Sequence, residues 1–200
     1  SHAPGWEDLG MALQVGHHLL LSHGLAVPVI REASPGSQVG ITLNLYPTYP
    51  ASNSEADVAA ARIQDGFSNR WFLEPVFKGT YPEDLWAMFG GQVPRIEPTD
   101  LSIISRPVDF LGVNYYSRHL VAADPQSPTD IKTLHPEGEY TQMDWEVFPQ
   151  GLTDILMQVH RDYAPRAIYI TENGCAYEDT LTAEGQVHDD HHDPGRRRAH

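Results

Sequence analysis

The chain has 200 residues, 40% of them hydrophobic, which is enough to bury one core. It carries 27 Asp and Glu against 13 Lys and Arg, a net charge of −14. That balance disfavours nucleic acid and anionic membrane surfaces as partners, because phosphate binding needs clustered cations.

One cationic cluster, Arg196, Arg197 and Arg198, lies near Asp189, Asp190 and Asp193. The single cysteine, Cys175, excludes a disulfide within the chain. It is compatible with a reducing cytoplasm, the expected location. No run of about 18 apolar residues stands out, so no membrane-spanning helix is expected. No signal peptide is visible, and the chain starts at Ser1 without Met.

Residues 9 to 31 read as a helix, with Leu9, Leu13, Gly16, Leu20, Ala26 or Val27 and Ile30 at three- to four-residue steps. Pro28 predicts a kink or an early end there. Ser34-Pro35-Gly36 is a loop, and "QVGITLNLYP" (38 to 47) is a β-branched strand ending at proline. Ser54 and Asp57 fit a capping arrangement, opening a helix that carries Val58, Ala61 or Arg62, Phe67 and Trp71. Pro- and Gly-rich loops are expected from there to residue 107. "VDFLGVNYYS" (108 to 117) is the second strand, and polar residues 120 to 144 suggest a hairpin. Pro149 opens a third helix, with Leu152, Ile155, Leu156, Val159 and Tyr163 on one face. "RAIYITENG" (166 to 174) is the third strand.

This α, β, α, β, α, β order implies an α/β protein with a parallel sheet and helical crossovers. The strands are apolar almost throughout, as strands covered on both faces are. Each ends in polar groups: Asn44, then Asn114 with Tyr116, then Glu172. In parallel sheets ligands lie at the C-terminal strand ends, so these residues are the candidate site. We expect one domain over residues 1–183 and a polar, poorly ordered tail over 184–200.

Five segments, in order, carry a resemblance: "HAPG" (2 to 5), "NRWFLEPVFKGTYP" (69 to 82), "DFLGVNYYS" (109 to 117), "DWEVFPQGL" (144 to 152) and "ITENG" (170 to 174). Together they resemble glycoside hydrolase family 1, the retaining β-glucosidases and β-galactosidases. The resemblance implies a partial (β/α)8 TIM barrel, with the three strands as its fifth to seventh. It implies Glu172 as nucleophile, Tyr116 as its hydrogen-bond donor, Asn114 in the same pocket and Trp145 beside the leaving group. The substrate implied is a β-linked glucoside or related oligosaccharide, cleaved by double displacement. The family needs no metal, so neither metal nor cofactor is expected.

The departures from the family pattern are specific. There is no Asn-Glu-Pro, which carries the family's acid/base carboxylate. The Gln of the first strand, the His-Trp pair of the third and the Glu-Trp pair after the eighth are also missing from this sequence. The alternative reading is therefore a catalytically silent barrel fragment or sugar-binding remnant, with open sheet edges that invite self-association. Glu178 or Asp179 is a substitute acid candidate. Trp145 reads equally as packing or as a sugar platform. His17, His18 and His23 read as core or surface histidines, and Cys175 as a packed thiol. The run from His188 to Asp193 reads as solvated tail rather than a metal site.

Overall fold

The computed structural model describes residues 5–127, 129–177 and 180–187. Helix α1 spans Leu9–Ala33, and the Asp8 carboxylate caps it by accepting the Met11 N–H at 2.8 Å. Of the kink or early end expected at Pro28, the early end does not occur: the chain stays helical to Ala33. Proline has no N–H for the Gly24 carbonyl four residues back. The Arg106 guanidinium supplies the missing donor, reaching that carbonyl at 2.8 Å. By length and composition alone α1 is apolar enough to cross a membrane, with an 18-residue window of mean hydropathy 1.2, a test that a soluble protein's core helix also passes. Its inward face carries the buried His17, bonded to Tyr81 and Asp100 at 3.0 and 3.1 Å.

Strand β1 (Gly40–Asn44) is followed by the short β2 (Thr48–Pro50) and by α2 (Glu55–Asp65). The Ser54 hydroxyl accepts the Asp57 N–H, as the capping pattern predicts. A π-helical turn, Gly66–Arg70, joins α2 to α3 (Trp71–Lys78). It turns Asn69 inward, where its amide makes two hydrogen bonds, 2.8 and 3.0 Å, to the backbone of Tyr46. Helices α4 (Glu83–Phe89) and α5 (Asp100–Ile104) occupy the stretch expected to be loop. They are one to two turns long, too short for a periodic pattern to show.

Strand β3 (Phe110–Asn114) leads to a hairpin of β4 (His119–Ala123) and β5 (Ile131–Thr133), within the region expected to hold one. Helix α6 (Pro149–Tyr163) then leads to β6 (Ile168–Glu172). Strands β1, β3 and β6 form a parallel sheet with β3 central, as the alternation predicts. Strand β2 joins β4 and β5 in a second, mixed sheet.

Leu45, Leu111, Val113, Ile155 and Val159 form the fully buried centre where α6 meets the parallel sheet. Coverage on both faces holds for β3 alone. On β6, Tyr169 and Ile170 are 47% and 51% exposed, because β6 is an edge strand among the described residues. Gly112 is needed at the middle of β3: a Cβ there would sit 2.3 Å from the Thr42 hydroxyl and 2.9 Å from Thr171 Cγ2. At the start of the expected tail, Leu181 and Val187 form an isolated bridge. Residues 188–200, and Glu178 and Asp179, lie outside the described residues, with the expectations placed on them.

Candidate active site

The register of the parallel sheet brings Asn44, Asn114 and Glu172 into line at one rim. A bulge after Val113 shifts the pairing, so that Asn114 lies opposite Glu172 rather than Thr171. Bulges re-aim side chains in this way beside many functional sites. Asn114 bridges the three strands: its amide donates to Asn44 Oδ1 at 2.8 Å and accepts from the Thr171 hydroxyl at 2.7 Å.

Tyr115 and Tyr116 point to opposite sides, as successive residues in extended chain do. Tyr115 goes into the core and donates to the Phe148 carbonyl. Tyr116 points to the rim and donates its phenol to the Glu172 carboxylate. That bond raises the Tyr116 phenol above its ordinary value, since losing the proton would set two negative charges face to face. The backbone also fixes the spot: Tyr115 N–H donates to the Glu172 carbonyl at 3.0 Å, and Asn173 Nδ2 to the Tyr115 carbonyl at 2.8 Å. Trp145, half-buried, lies with its ring centroid 4.9 Å from that of Tyr116.

All four residues expected at the site therefore gather at one rim. The histidines of α1 do not join it. His17 is buried on Tyr81 and Asp100, and His18 meets Gln14 at 3.0 Å on the exposed side. Cys175 is exposed rather than packed, because the chain past Asn173 runs over the surface.

The sequence reading missed the support beneath Trp145. Arg118 holds both Glu146 oxygens at 2.8 Å, with its guanidinium 3.7 Å over the Phe148 ring. The ion pair raises the Arg118 pKa further. The Tyr46 ring lies tilted by 33° against His119, centroids 4.9 Å apart, and burial lowers the His119 pKa, favouring the neutral ring. Tyr46, Arg118, His119 and Glu146 line a cavity of about 550 Å³ beside Trp145. The "DWEVFP" segment marked the place, but the Arg118 contact crosses 28 residues and no local pattern announces it.

A parallel sheet with helical crossovers, and polar side chains gathered on its C-terminal rim, makes this a partial β/α barrel. Residues 1–192 match the family described as Glycosyl hydrolase family 1, and the chain belongs to that family. It is 40% identical over 193 residues to β-glucosidase A of Acetivibrio thermocellus, covering 94% of this chain and 43% of that protein. The crystal structure of a β-glucosidase from Exiguobacterium marinum superposes with a TM-score of 0.89 at 41% identity, over 95% of this chain and 44% of that one. The β-glucosidase of Thermotoga maritima in complex with deoxynojirimycin gives a TM-score of 0.89 at 38% identity, over 95% and 43% of the two chains. The chain thus spans less than half the length of the relatives it matches.

Proposed function

We propose that the chain carries the nucleophile half of a retaining β-glucosidase site, acting on β-linked glucosides or related oligosaccharides. The observation that supports this reading most directly is the Tyr116 phenol on the Glu172 carboxylate at the strand-end rim. A retaining glycosidase needs one carboxylate to attack the anomeric carbon and a second, about 5–5.5 Å away, to protonate the departing oxygen. Glu172 attacks; the bond from the anomeric carbon to the leaving oxygen breaks as an ester forms. Water then displaces the carboxylate from the opposite face, so configuration is retained. Tyr116 donates to the Glu172 carboxylate and keeps one oxygen oriented. Asn114, tied to Asn44 and Thr171, holds the rim in register.

A second reading, a catalytically silent sugar-binding chain, is favoured by one observation: the sequence contains no Asn-Glu-Pro. A 2-fluoroglucoside with a strongly activated leaving group separates the two, because such a group departs without a proton. Covalent labelling of Glu172, located by peptide mapping, supports the nucleophile. A folded chain that binds sugar but never takes the label supports the silent reading.

A further inference from the structure

At the end of the parallel sheet away from Glu172, three arginines line one cavity of about 370 Å³. Arg31 comes from the last turn of α1, Arg106 from the segment before β3 and Arg166 from the segment before β6. Asp109 is the one carboxylate that lines the cavity with them. Three guanidiniums against one carboxylate reverse the balance of a chain that holds 27 acids and 13 Lys and Arg. Cations gathered in this way repel one another, and a single Asp does not offset all three.

Asp109 sets the geometry. Its Oδ2 accepts the Val39 N–H at 2.9 Å and Arg31 Nη2 at 3.1 Å, and its Oδ1 lies 3.9 Å from Arg166 Nη1. Arg31 Nη2 also donates to the Pro107 carbonyl at 3.2 Å, so two acceptors fix that guanidinium. Arg106 is anchored through one amino group, on the Gly24 carbonyl at 2.8 Å. A guanidinium has more N–H donors than these bonds use. The Arg166 side chain is 75% exposed and stands beyond hydrogen-bond length from Asp109, so it can turn to a ligand without breaking a bond. One fork satisfies a planar carboxylate, whereas donors from several arginines suit the spread oxygens of a phosphate. The rest of the lining is apolar: Val27, Pro28 and Pro107. The volume falls within the ~300–1,000 Å³ usual for small-ligand clefts.

We propose that this cavity binds the phosphate group of a small organic phosphate, with Arg106 and Arg166 as donors, Arg31 adding charge, and Val27 and Pro107 against the organic part. It lies at the opposite strand ends from Glu172, so the nucleophile reading stands or falls separately. The experiment is a titration of the 200-residue chain with inorganic phosphate, phenyl phosphate and phenol at constant ionic strength, followed by NMR of the arginine side-chain N–H signals. Phenyl phosphate should bind saturably and more tightly than inorganic phosphate, phenol should not bind, and added salt should weaken both phosphates. Arg166→Gln should weaken phenyl phosphate about five- to tenfold, the scale of one charge-assisted bond, without moving the melting temperature. Arg166→Lys, which keeps the charge and loses the fork, should fall between the two. Arg95→Gln, at an arginine outside the cavity, should change nothing. Shifts that never saturate, an affinity untouched by Arg166→Gln, or an equal loss from Arg95→Gln overturns the site. Equal affinity for the two phosphates overturns its organic part.

Discussion

Glu172 and Glu146 are both carboxylates near the rim, yet only one is free to act as a nucleophile. Both oxygens of Glu146 are held at 2.8 Å by Arg118, with its side chain largely buried, whereas Glu172 is exposed and meets a single phenol. A mechanism-based fluoroglycoside should therefore label Glu172 and leave Glu146 untouched; a labelled Glu146 peptide would overturn the assignment. Tyr116→Phe should slow labelling about 10- to 100-fold, since a hydrogen bond to a charged group contributes roughly 1.5–3 kcal/mol. Stopped labelling kinetics give that ratio, and an unchanged rate would remove Tyr116 from the mechanism. These two residues were legible because each ends an apolar strand within a short motif, "ITENG" and "NYY". Arg118 was not: its role comes from a contact made after folding, and an Arg in a polar stretch has no local signature.

The helices and strands that could be read are those long enough to show a period: α1, the start of α2, α6, and the three strands of the parallel sheet. Proline misled once, because the rescue of the Gly24 carbonyl by Arg106 joins residues 82 apart. The same crossing makes Gly24 a sharp test. A Cβ there would lie 2.1 Å from the Ile103 carbonyl and 2.9 Å from Ile104 Cα, so α1 and α5 would have to part. Gly24→Ala should destabilise by about 1–3 kcal/mol despite its better helix propensity; a raised melting temperature would contradict the close packing. The α1–α5 contact should also depend on pH. Asp100 accepts the Glu97 N–H at 2.8 Å and meets His17 at 3.1 Å, which lowers its pKa below 3.8, the backbone bond being the larger cause. A carboxyl lowered on folding contributes stability above its unfolded value, and loses it as pH falls through the folded one. Asp100→Asn should therefore melt below the parent at pH 7, with the gap closing as pH drops below about 3.8. Parallel melting curves across pH would disprove that linkage.

At the scale of the whole molecule, β1 and β6 each pair on one side only among the described residues, and Met11, Val15, Leu19 and Val29 are exposed on α1. Unpaired edges and apolar surface favour association, so light scattering should show mass rising with concentration. A monomer at every concentration would mean the edges are protected. The motifs missing from this sequence bear on turnover. General acid catalysis contributes about 10²–10⁴-fold, and the sequence holds no Asn-Glu-Pro to supply it. Sugar distortion and hydrogen bonds to the ring add several kcal/mol more in glycosidases, and the family's Gln and His-Trp ligands are missing from this sequence too. The 200-residue chain should therefore hydrolyse alkyl β-glucosides negligibly. Any residual rate should appear first with p-nitrophenyl β-glucoside, whose leaving group needs little protonation. Glu172→Gln should remove that residue of activity, because it takes away the attacking oxygen while leaving shape and the Tyr116 contact nearly intact. The ratio of p-nitrophenyl to alkyl rates measures the missing acid directly: a large ratio means Glu172 works without one. Robust alkyl-glucoside hydrolysis abolished by Glu172→Gln would keep the nucleophile and sink the claim that the chain lacks a working acid, directing the search to Glu178 and Asp179.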